Sequence, residues 1–577
     1  MTVTSKRIYP MVLLLALVAG WARAQAPGEQ AAPEPNTILR EIIPLEQIYR
    51  QTEQLLDDPN RDVVELTLQE CLQRALHNNL DVRVGGYDPG IRQLDIVSAE
   101  AAFDAVLFGS GQFDLTDQAN IESGFYNQTI LSDGGDRIRR IPTAPFVNAH
   151  DYNYLMGLRK LLPTGATIQV AEQLRRFRDL TDENALFRNP FYEFGLQLQI
   201  RQPLLRDFGV EVNEANIQAT RNNYQISRQQ FQLLLIRTAS DVETNYWRLF
   251  SSRQTVKILE DLVRSSGKSL ERIRRRYPLD TQSLNIERTL AVIKRAEANL
   301  VSAENALLQR QELLLQSLND PDLPLEKGWE VIPIDQPTEV PYETDERQTR
   351  QTALQHRAEI IAQRYRLDTS GLAEQVARNQ RLPRMDLFYQ QEISGAGDSY
   401  DSSWKQQWQN ETVNHVFGLS FEYPLRNRSA EAAFGQAQRR RQQENLTLKN
   451  IQEQVLTDVN TSVLNLRNTF REIAKRMEAA EAEKNVMLNH LAYEESGQRN
   501  TMTPEFLNLK LNTDERLANA RISAIQSLIE YNLAIMNMQR AQGTLLRYNH
   551  IDIAEPRPDD RGTAPRDISN TGQTESN

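Results

Sequence analysis

The sequence lacks the features on which disulfide-rich proteins and most enzymes depend. It has a single cysteine, Cys71, which has no partner for an internal disulfide and is expected to pack in a helix. The six histidines are scattered, and none forms the H-x-x-x-H spacing of a helical metal site. The sequence shows no P-loop, no G-x-S-x-G turn and no other nucleophile–base arrangement. We therefore expect no enzymatic activity, no cofactor and no metal site.

Long apolar runs and an excess of positive charge are also missing. No apolar run reaches the ~18–20 residues that a transmembrane helix requires. The formal net charge of −11 argues against nucleic acid as a partner. The one apolar stretch, Met11–Ala19, follows Lys6 and Arg7 and precedes Ala22–Ala24, which is the pattern of a secretory signal. We therefore expect an exported protein whose signal peptide is cleaved after Ala24.

The chain carries one series of motifs twice. Asp241–Thr244 (Asp-Val-Glu-Thr) corresponds to Asp458–Thr461 (Asp-Val-Asn-Thr), and Tyr277 corresponds to Tyr493. The two offsets are nearly equal, about 217 and 216 residues, which indicates a duplicated unit. The predicted organisation is a signal peptide at 1–24, an N-terminal periplasmic extension at 25–64, a first repeat at 65–318, a linker at 319–344, a second repeat at 345–550 and a disordered tail at 551–577.

Alternation of apolar and polar residues predicts β-strands in both repeats. Residues 152–158 alternate in this way, and two strands near the Pro-Leu motifs are the clearest. Their apolar residues, which we expect to face lipid, are Phe194, Leu196, Leu198 and Ile200 in the first repeat and Phe417, Leu419, Phe421 and Tyr423 in the second. A soluble sandwich gives the same pattern, as do outer-membrane barrels with strands of about 9–11 residues.

Long helices are predicted after each strand region. From Asn213 to Arg276 there is no proline and only one glycine, and a break follows at Tyr277–Pro278. Beyond it, apolar residues fall seven apart in both repeats, as at Ile293 and Leu300 or at Leu517 and Ala524. Such heptads indicate coiled-coil packing between long helices.

Closure of the sheet requires several chains. The alternation gives about four to six strands per chain, whereas a closed membrane barrel needs at least about eight. An open sheet edge in lipid costs several kcal/mol for each unpaired backbone group. Three chains of about four strands would make a barrel of about 12 strands, although closure alone does not separate three chains from four.

Short motifs in a fixed order give the chain a resemblance to a known family. They are Leu66–Leu72 with Ala75–Asn79, Gln202–Leu205, Leu382–Pro383, Tyr423–Leu425, Tyr531–Ala534 and Ala541–Leu546. With the duplication and the signal peptide, they make residues 65–550 resemble the TolC-type outer-membrane factors. These proteins are the exit ducts of tripartite efflux pumps and type I secretion systems.

The resemblance implies the fold class, the location and the partners. The fold would be an α+β membrane protein, a TolC-like homotrimer whose β-barrel lies in the outer membrane and continues into a long periplasmic α-helical coiled-coil barrel. The implied partners are a periplasmic adaptor (membrane fusion) protein, an inner-membrane pump or ABC transporter, and outer-membrane lipid. The duct would conduct small compounds or exported protein passively.

The region 103–203 departs from the family pattern because it is much longer than its counterpart in the second repeat. It contains a good turn, Leu161–Ala166, between two alternating segments. Either the first hairpin has long, broken strands and a large outer loop at 116–150, or the chain has an extra hairpin. We favour the ordinary four strands per chain.

The resemblance also suggests a gate at the periplasmic helix tips. Family members close the tunnel there with a tyrosine–arginine–aspartate latch and a ring of carboxylates. The matching residues are Tyr493, Arg499 and Glu505, and Asn508 stands where a second aspartate is usual. Threefold symmetry would turn one carboxylate into a ring of three charges. The plainer interpretation is that Arg499 and Glu505 are solvated tip residues.

The tips are also expected to contact the adaptor, because they are best placed to meet a partner. The candidate contact residues are Tyr277, Asp280, Ser283, Gly497 and Thr501, with Asp280 at the position of Gly497 in the other repeat.

Two other functions compete with the duct. A periplasmic coiled-coil structural protein without a channel would explain the heptads but not the alternating strands with aromatic faces. An exported enzyme has no supporting motif. The cargo stays open, since scattered methionines and histidines give no sign of metal export.

Overall fold

The structure is a computed structural model that describes residues 62–119, 125–130, 137–142, 146–180, 189–276, 283–409, 412–495 and 504–551. The predicted signal peptide, the extension up to residue 61 and the tail beyond residue 551 lie outside the described residues.

The helices of the first half include one of 62 residues. They are α1 (Leu68–Asn78), α2 (Leu80–Glu100), α3 (Val210–Asn213), α4 (Ala215–Arg276) and α5 (Ser283–Leu318). The start of α1 is a capping box, in which Glu70 N donates to Thr67 Oγ1 and Thr67 N donates to Glu70 Oε2 at 3.2 and 2.9 Å. Asn79 separates α1 from α2 and accepts hydrogen bonds from the first amides of α2. The long helix predicted from residues 213 to 276 is confirmed.

The second half has the same order of a helix of about 20 residues, strands, a very long helix and a helix of nearly 40 residues. Its helices are α6 (Glu346–His356), α7 (Ala358–Asn379), α8 (Tyr400–Trp408), α9 (Arg428–Glu495), α10 (Pro504–Gln542) and α11 (Leu545–Tyr548). The heptad residues Leu517, Tyr531 and Met538 of α10 are buried, so the predicted packing seam is present. None of the described helices is both long and apolar enough to cross a membrane.

The strands form one large sheet and two small pairs. They are β1 (Val63–Leu66), β2 (Val106–Ala119), β3 (Phe125–Ile130), β4 (Arg137–Pro142), β5 (Phe146–Leu161), β6 (Thr167–Asp179), β7 (Phe191–Pro203), β8 (Glu330–Pro333), β9 (Arg384–Gly397) and β10 (Val413–Glu422). The large sheet has six antiparallel strands in the order β10-β9-β7-β6-β5-β2. β3 pairs with β4, and β1 pairs in parallel with β8.

The prediction of four strands per chain is wrong, because the large sheet has six. β5 and β6 form the extra hairpin around the turn at residues 161–166, where Gly165 adopts φ +90° and its amide donates to the Leu162 carbonyl. Glycine tolerates this left-handed conformation, so the turn can reverse the chain between two alternating segments. The second hairpin, β3–β4, occupies part of the region that the other alternative assigned to a loop.

The buried core lies in the helical part. Cys71, Tyr246 and Leu314 are fully buried in one cluster that joins α1, α4 and α5 to the β1–β8 pair. Burial raises the pKa of the Cys71 thiol to about 12, so this cysteine packs as an apolar residue and is poorly reactive. A second cluster joins α6, α7, α9 and α10 and includes Tyr531.

Two buried tyrosines fasten the segment 319–344 between the halves. The Tyr246 hydroxyl donates to the Leu66 carbonyl at 3.1 Å and accepts from the Asp335 amide at 3.1 Å. The Tyr531 hydroxyl donates to the Val340 carbonyl and accepts from the Tyr342 amide, both at 2.8 Å. The segment is therefore ordered, as buried backbone groups with hydrogen-bond partners require.

Candidate functional site

The strand register sorts the side chains of the large sheet onto two faces. Ile200 of β7 lies opposite Tyr389 of β9, which in turn lies opposite Phe417 of β10. Because directly paired residues point to the same side, the predicted residues of β7 and β10 share one face. We call this the apolar face.

The apolar face is largely exposed in the single chain. Phe417, Leu419 and Phe421 of β10 are 74%, 60% and 66% exposed, and Phe194, Leu196, Leu198 and Ile200 of β7 are half-buried. Tyr423 lies just beyond the end of β10 and is exposed. Further exposed members of this face are Leu107, Phe113 and Leu115 of β2, Tyr154, Met156 and Leu158 of β5, Val170 of β6 and Leu387 of β9. An apolar surface of this extent requires a partner or an apolar solvent.

The opposite face of the sheet, here the charged face, is held by ion pairs and amide hydrogen bonds across the strands. Arg175 of β6 pairs with Asp151 of β5 at 2.6 Å. Arg201 of β7 pairs with Asp386 of β9 at 2.5 Å, and Arg384 joins the same carboxylate at 3.1 Å. Each bond is charge-assisted. The Arg175–Asp151 and Arg201–Asp386 pairs link neighbouring strands, whereas Arg384 and Asp386 both belong to β9. The sheet thus has one face suited to water and one suited to an apolar phase.

Among the described residues, neither edge strand of the sheet, β10 or β2, has a second neighbouring strand. In β10 every residue except Gly418 is exposed, and in β2 the side chains are exposed up to Asp117 except for Phe108 and Thr116. Strands alternate in direction across the sheet, so β2 and β10 run antiparallel to each other. β10 of one copy can therefore pair with β2 of another in the same antiparallel pattern.

The predicted gate is described only in part. Tyr493 lies in the last turn of α9, 40% exposed, with its ring centroid 5.7 Å from that of Phe506. Asn508 is half-buried in α10. Glu505 and Ser283 lie in the first turns of α10 and α5, where the structure describes the backbone only.

The remaining tip residues lie outside the described residues. They are Tyr277, Asp280, Gly497, Arg499 and Thr501. The latch and the adaptor contacts therefore stay predictions.

Sequence reasoning missed a polar cluster above the tips, where α4 and α10 meet. Asp514 of α10 is buried and accepts a hydrogen bond from Ser265 Oγ of α4 at 2.9 Å. Burial raises the pKa of the Asp514 carboxyl, and the bond from Ser265 and the charges of Lys510 and His490 oppose that shift. The sequence does contain a sign of this buried carboxylate, because Asp514 lies three positions before Leu517 in a stretch of apolar heptads.

The repeated motif supplies a second buried carboxylate. Val242 and Val459, the second residues of the two Asp-Val-x-Thr motifs, are both buried, but Glu243 is also buried whereas Asn460, at the same position of the other motif, is exposed. Burial raises the pKa of Glu243 to about 7, although Asn549 and Trp247 lie close enough to oppose the shift. The motif therefore serves packing in both halves and adds a titratable group in one.

Among the described residues, no group of three or more His, Cys, Asp or Glu side chains is placed to hold a metal ion. What the described parts offer is a two-faced sheet with open edges, joined to long helices.

Comparison with solved structures places the fold. The chain matches the CmeC outer membrane channel of Campylobacter jejuni at 12% identity and TM-score 0.57, covering 83% of this chain and 86% of that one. It matches the outer membrane protein VceC of Vibrio cholerae at 14% identity and TM-score 0.56, covering 82% and 96%. The chain has the fold of the TolC-type outer-membrane channels.

A third match agrees with this fold. The open state of the MtrE outer membrane channel of Neisseria gonorrhoeae matches at 13% identity and TM-score 0.54, covering 83% of this chain and 89% of that one. No protein-family model matches the sequence, and the search of curated proteins found no match either. At these identities the likeness concerns the fold alone.

Proposed function

We propose that the protein is the outer-membrane exit duct of a tripartite efflux or type I secretion system. It conducts small compounds or exported protein passively from a periplasmic adaptor and an inner-membrane pump or ABC transporter to the outside. The observation that carries this proposal is the sheet, whose apolar face is exposed, whose opposite face is ion-paired and whose two edges are open. Outer-membrane barrels combine an apolar outer surface with a polar interior in this way.

Oligomerisation follows from the open edges. Six strands are too few for a closed barrel, and an unpaired strand edge cannot lie in lipid. Pairing β10 of one chain with β2 of the next closes the barrel without a change of pattern. We infer a homotrimer, the state that the resemblance implies, with eighteen strands in place of the predicted twelve because each chain supplies six.

The long helices extend the duct. The 62 residues of α4 and the 68 residues of α9 each span about 90–100 Å at 1.5 Å per residue. β7 is joined to α4 by a short connection, and β10 is joined to α9 in the same way. The proposed barrel therefore continues directly into the long helices, which would extend its channel. The shared order of elements in the two halves supports the proposed repeats at 65–318 and 345–550.

The tips of this helical part are the proposed adaptor contact. The residues at 276–286 and 493–507 join α4 to α5 and α9 to α10, so they lie at the ends of the longest helices. We propose as gate residues those that the resemblance to the TolC-type outer-membrane factors implies, which are Tyr493, Arg499, Glu505 and Asn508. The coiled-coil alternative explains the helical seams but leaves the exposed apolar face of the sheet without a role.

Cysteine labelling tests the proposal on two adjacent residues. Leu419 lies on the apolar face and Ser420 on the charged face, and both are exposed in the single chain. Leu419→Cys and Ser420→Cys variants are reconstituted in lipid and treated with a water-soluble thiol reagent that does not cross membranes. The native Cys71 contributes little background, because it is buried and its pKa is raised to about 12.

The duct predicts rapid labelling of Ser420→Cys and at least about tenfold slower labelling of Leu419→Cys, since lipid covers that side. Equal rapid labelling at both positions would place the sheet in water and reject the channel. Protection of both positions would indicate a protein-covered sheet and would also reject it.

A further inference from the structure

The short helix α8 folds back onto the apolar face of the sheet. It connects β9 to β10 and begins with a capping box between Ser399 and Ser402. The Tyr400 ring lies 4.3 Å from that of Tyr192, and the Trp404 ring lies 5.2 Å from that of Phe194. Tyr192 and Phe194 both belong to the apolar face, so α8 lies outside the proposed barrel rather than over its interior.

The polar side of α8 is turned inward to the sheet. Ser403 and Gln407 are fully buried, and Gln407 Nε2 donates to both carboxylate oxygens of Glu172 at 3.0 and 3.3 Å. Glu172 is a charged residue of β6 within the apolar face, between Met156 and Leu196. The helix thus covers a carboxylate that lipid could not solvate.

A glycine makes this close approach possible. A Cβ atom on Gly395 of β9 would collide with the Ser403 carbonyl oxygen and the Gln407 amide nitrogen. The Ser403 hydroxyl also donates to the Tyr192 carbonyl at 2.9 Å. The position of α8 on the sheet is therefore fixed by packing and hydrogen bonds rather than by its connections alone.

The aromatic side chains of α8 contact the sheet on one side and remain about half exposed. Tyr400, Trp404 and Trp408 follow at intervals of four residues and are 48%, 43% and 53% exposed. A helix on a water-soluble protein normally buries its apolar side and exposes its polar one. In α8 the polar Ser403 and Gln407 are fully buried while the aromatic residues stay partly exposed, which favours an environment around α8 that is not simply water.

The surroundings identify that environment. Along β6, the apolar residues Ile168 and Val170 give way to Arg176, whose guanidinium lies 5.3 Å from the Tyr152 ring and 5.9 Å from the Tyr192 ring. Aromatic residues with polar edges collect at the headgroup level of a membrane, where the apolar band ends. Arginine at this level pairs well with lipid phosphate.

We propose that the stripe of Tyr400, Trp404 and Trp408 is an anchor that binds the headgroup region of outer-leaflet lipid and sets the depth of the barrel. The inference rests on the proposed function, because it requires the sheet to lie in a membrane. Its occupant is lipid, since the stripe is continuous with the apolar face and bordered by Arg176.

Tryptophan quenching by brominated lipid tests the anchor. The full chain is reconstituted in vesicles with bromine near the carbonyl end of the acyl chains or, separately, near their ends. Trp404→Phe/Trp408→Phe removes the tryptophan fluorescence of the stripe conservatively. It leaves Trp247 and Trp329 of the helical part, together with Trp21 where the predicted signal peptide is retained. Adding Phe417→Trp to that double variant reports independently on the exposed apolar face.

The anchor predicts that shallow bromine quenches the wild type more than deep bromine does, and that the double variant loses about half or more of this quenching. Phe417→Trp is expected to restore quenching, chiefly by deep bromine.

If Phe417→Trp is quenched but Trp404 and Trp408 are not, the anchor is rejected and the proposed duct is retained. Red-shifted unquenched emission would then place the stripe in water, and blue-shifted emission against protein. If Phe417→Trp is not quenched, the proposed function itself fails.

Discussion

Large apolar and aromatic side chains are buried in the helical part and exposed in the sheet. In the helical part, Tyr246 and Leu314 are completely buried by other residues of the same chain. In the sheet, Phe417 and Phe421 are 74% and 66% exposed. The described residues therefore complete a core around the helices, whereas in the sheet they leave much of the apolar face uncovered. Burial of apolar surface stabilises in both cases, but the covering partner differs.

The placement of polar groups also differs between the helical part and the sheet. Inside the helical part, the Tyr246 hydroxyl and the Asp335 amide satisfy each other in the core. In the sheet, charged pairs such as Arg175 with Asp151 lie on one face, and the other face is mostly apolar, with Glu172 and Arg176 as exceptions. A sheet of this kind separates two solvents, whereas the helical core excludes solvent altogether.

The largest expected effect is on the apolar face. Leu419→Arg places a charge where lipid is proposed, at a cost of about 2–4 kcal/mol per chain near the bilayer centre, and should abolish membrane assembly. Ser420→Arg, on the charged face of the same strand, should assemble normally. The measurement is the amount of heat-modifiable oligomer in the outer-membrane fraction. Equal assembly of the two variants would remove the difference between the faces.

Removing core volume from the helical part should lower stability without changing membrane insertion. Leu314→Ala leaves a cavity in the fully buried cluster and should cost about 3 kcal/mol of unfolding free energy. Gln316→Ala, on the exposed side of the same helix, should change stability by less than about 0.5 kcal/mol. Thermal unfolding followed by far-UV circular dichroism measures both. A Leu314→Ala protein as stable as the wild type would show that the core assignment is wrong.

Glu243 should make the helical core more stable in mild acid. Its pKa is raised to about 7 by burial, above its unfolded value, so the charged form opposes folding. The penalty is absent below the unfolded pKa and grows as pH rises through about 7. Glu243→Gln should therefore gain on the order of 2 kcal/mol at pH 8 and almost nothing at pH 4.5. Unfolding midpoints of the two proteins across this range give the comparison, and a constant difference would contradict it.

Glu374 is the opposite case, with a smaller effect. Hydrogen bonding to Arg441, at 2.9 Å, lowers its pKa, and the charge of Arg378 acts in the same direction. The ion pair stabilises the fold above the unfolded pKa and is lost as pH falls through the folded one. Because both arginines are largely exposed, Glu374→Gln should cost only about 1 kcal/mol at pH 7. The loss of unfolding free energy in Glu374→Gln should become smaller as the pH falls. A loss of the same size at low pH would show that the variant disturbs packing rather than an ion pair.

The sequence predicted most of the local structure and less of the assembly. Alternation placed Phe194 and Phe417 on one face, and the heptads placed Leu517 and Tyr531 in a buried seam, because both patterns are local. The predicted number of strands was wrong because the turn at residues 161–166 was open to two interpretations, an irregularity within a long hairpin or the turn of an extra hairpin. The alternation of apolar and polar residues on either side of the turn is the same in both cases, so it does not decide between them.

Two features escaped prediction for identifiable reasons. The helix α8 has only nine residues, and its three aromatic residues, four apart, are too few to establish a helical period from sequence. Asp514 is buried through contact with Ser265, which lies far away in sequence. Residue periodicity shows neither arrangement. The gate at Arg499 and Glu505 rests on resemblance and stays a prediction.

Single-particle electron microscopy of the detergent-purified protein shows whether the sheet closes into a trimeric barrel in a membrane-like environment. We expect a threefold particle with a detergent belt around a closed barrel of eighteen strands, six from each chain, and a long helical tube below it. A particle without a belt, or one in which the six-stranded sheet packs its apolar face against protein, would contradict the proposed duct.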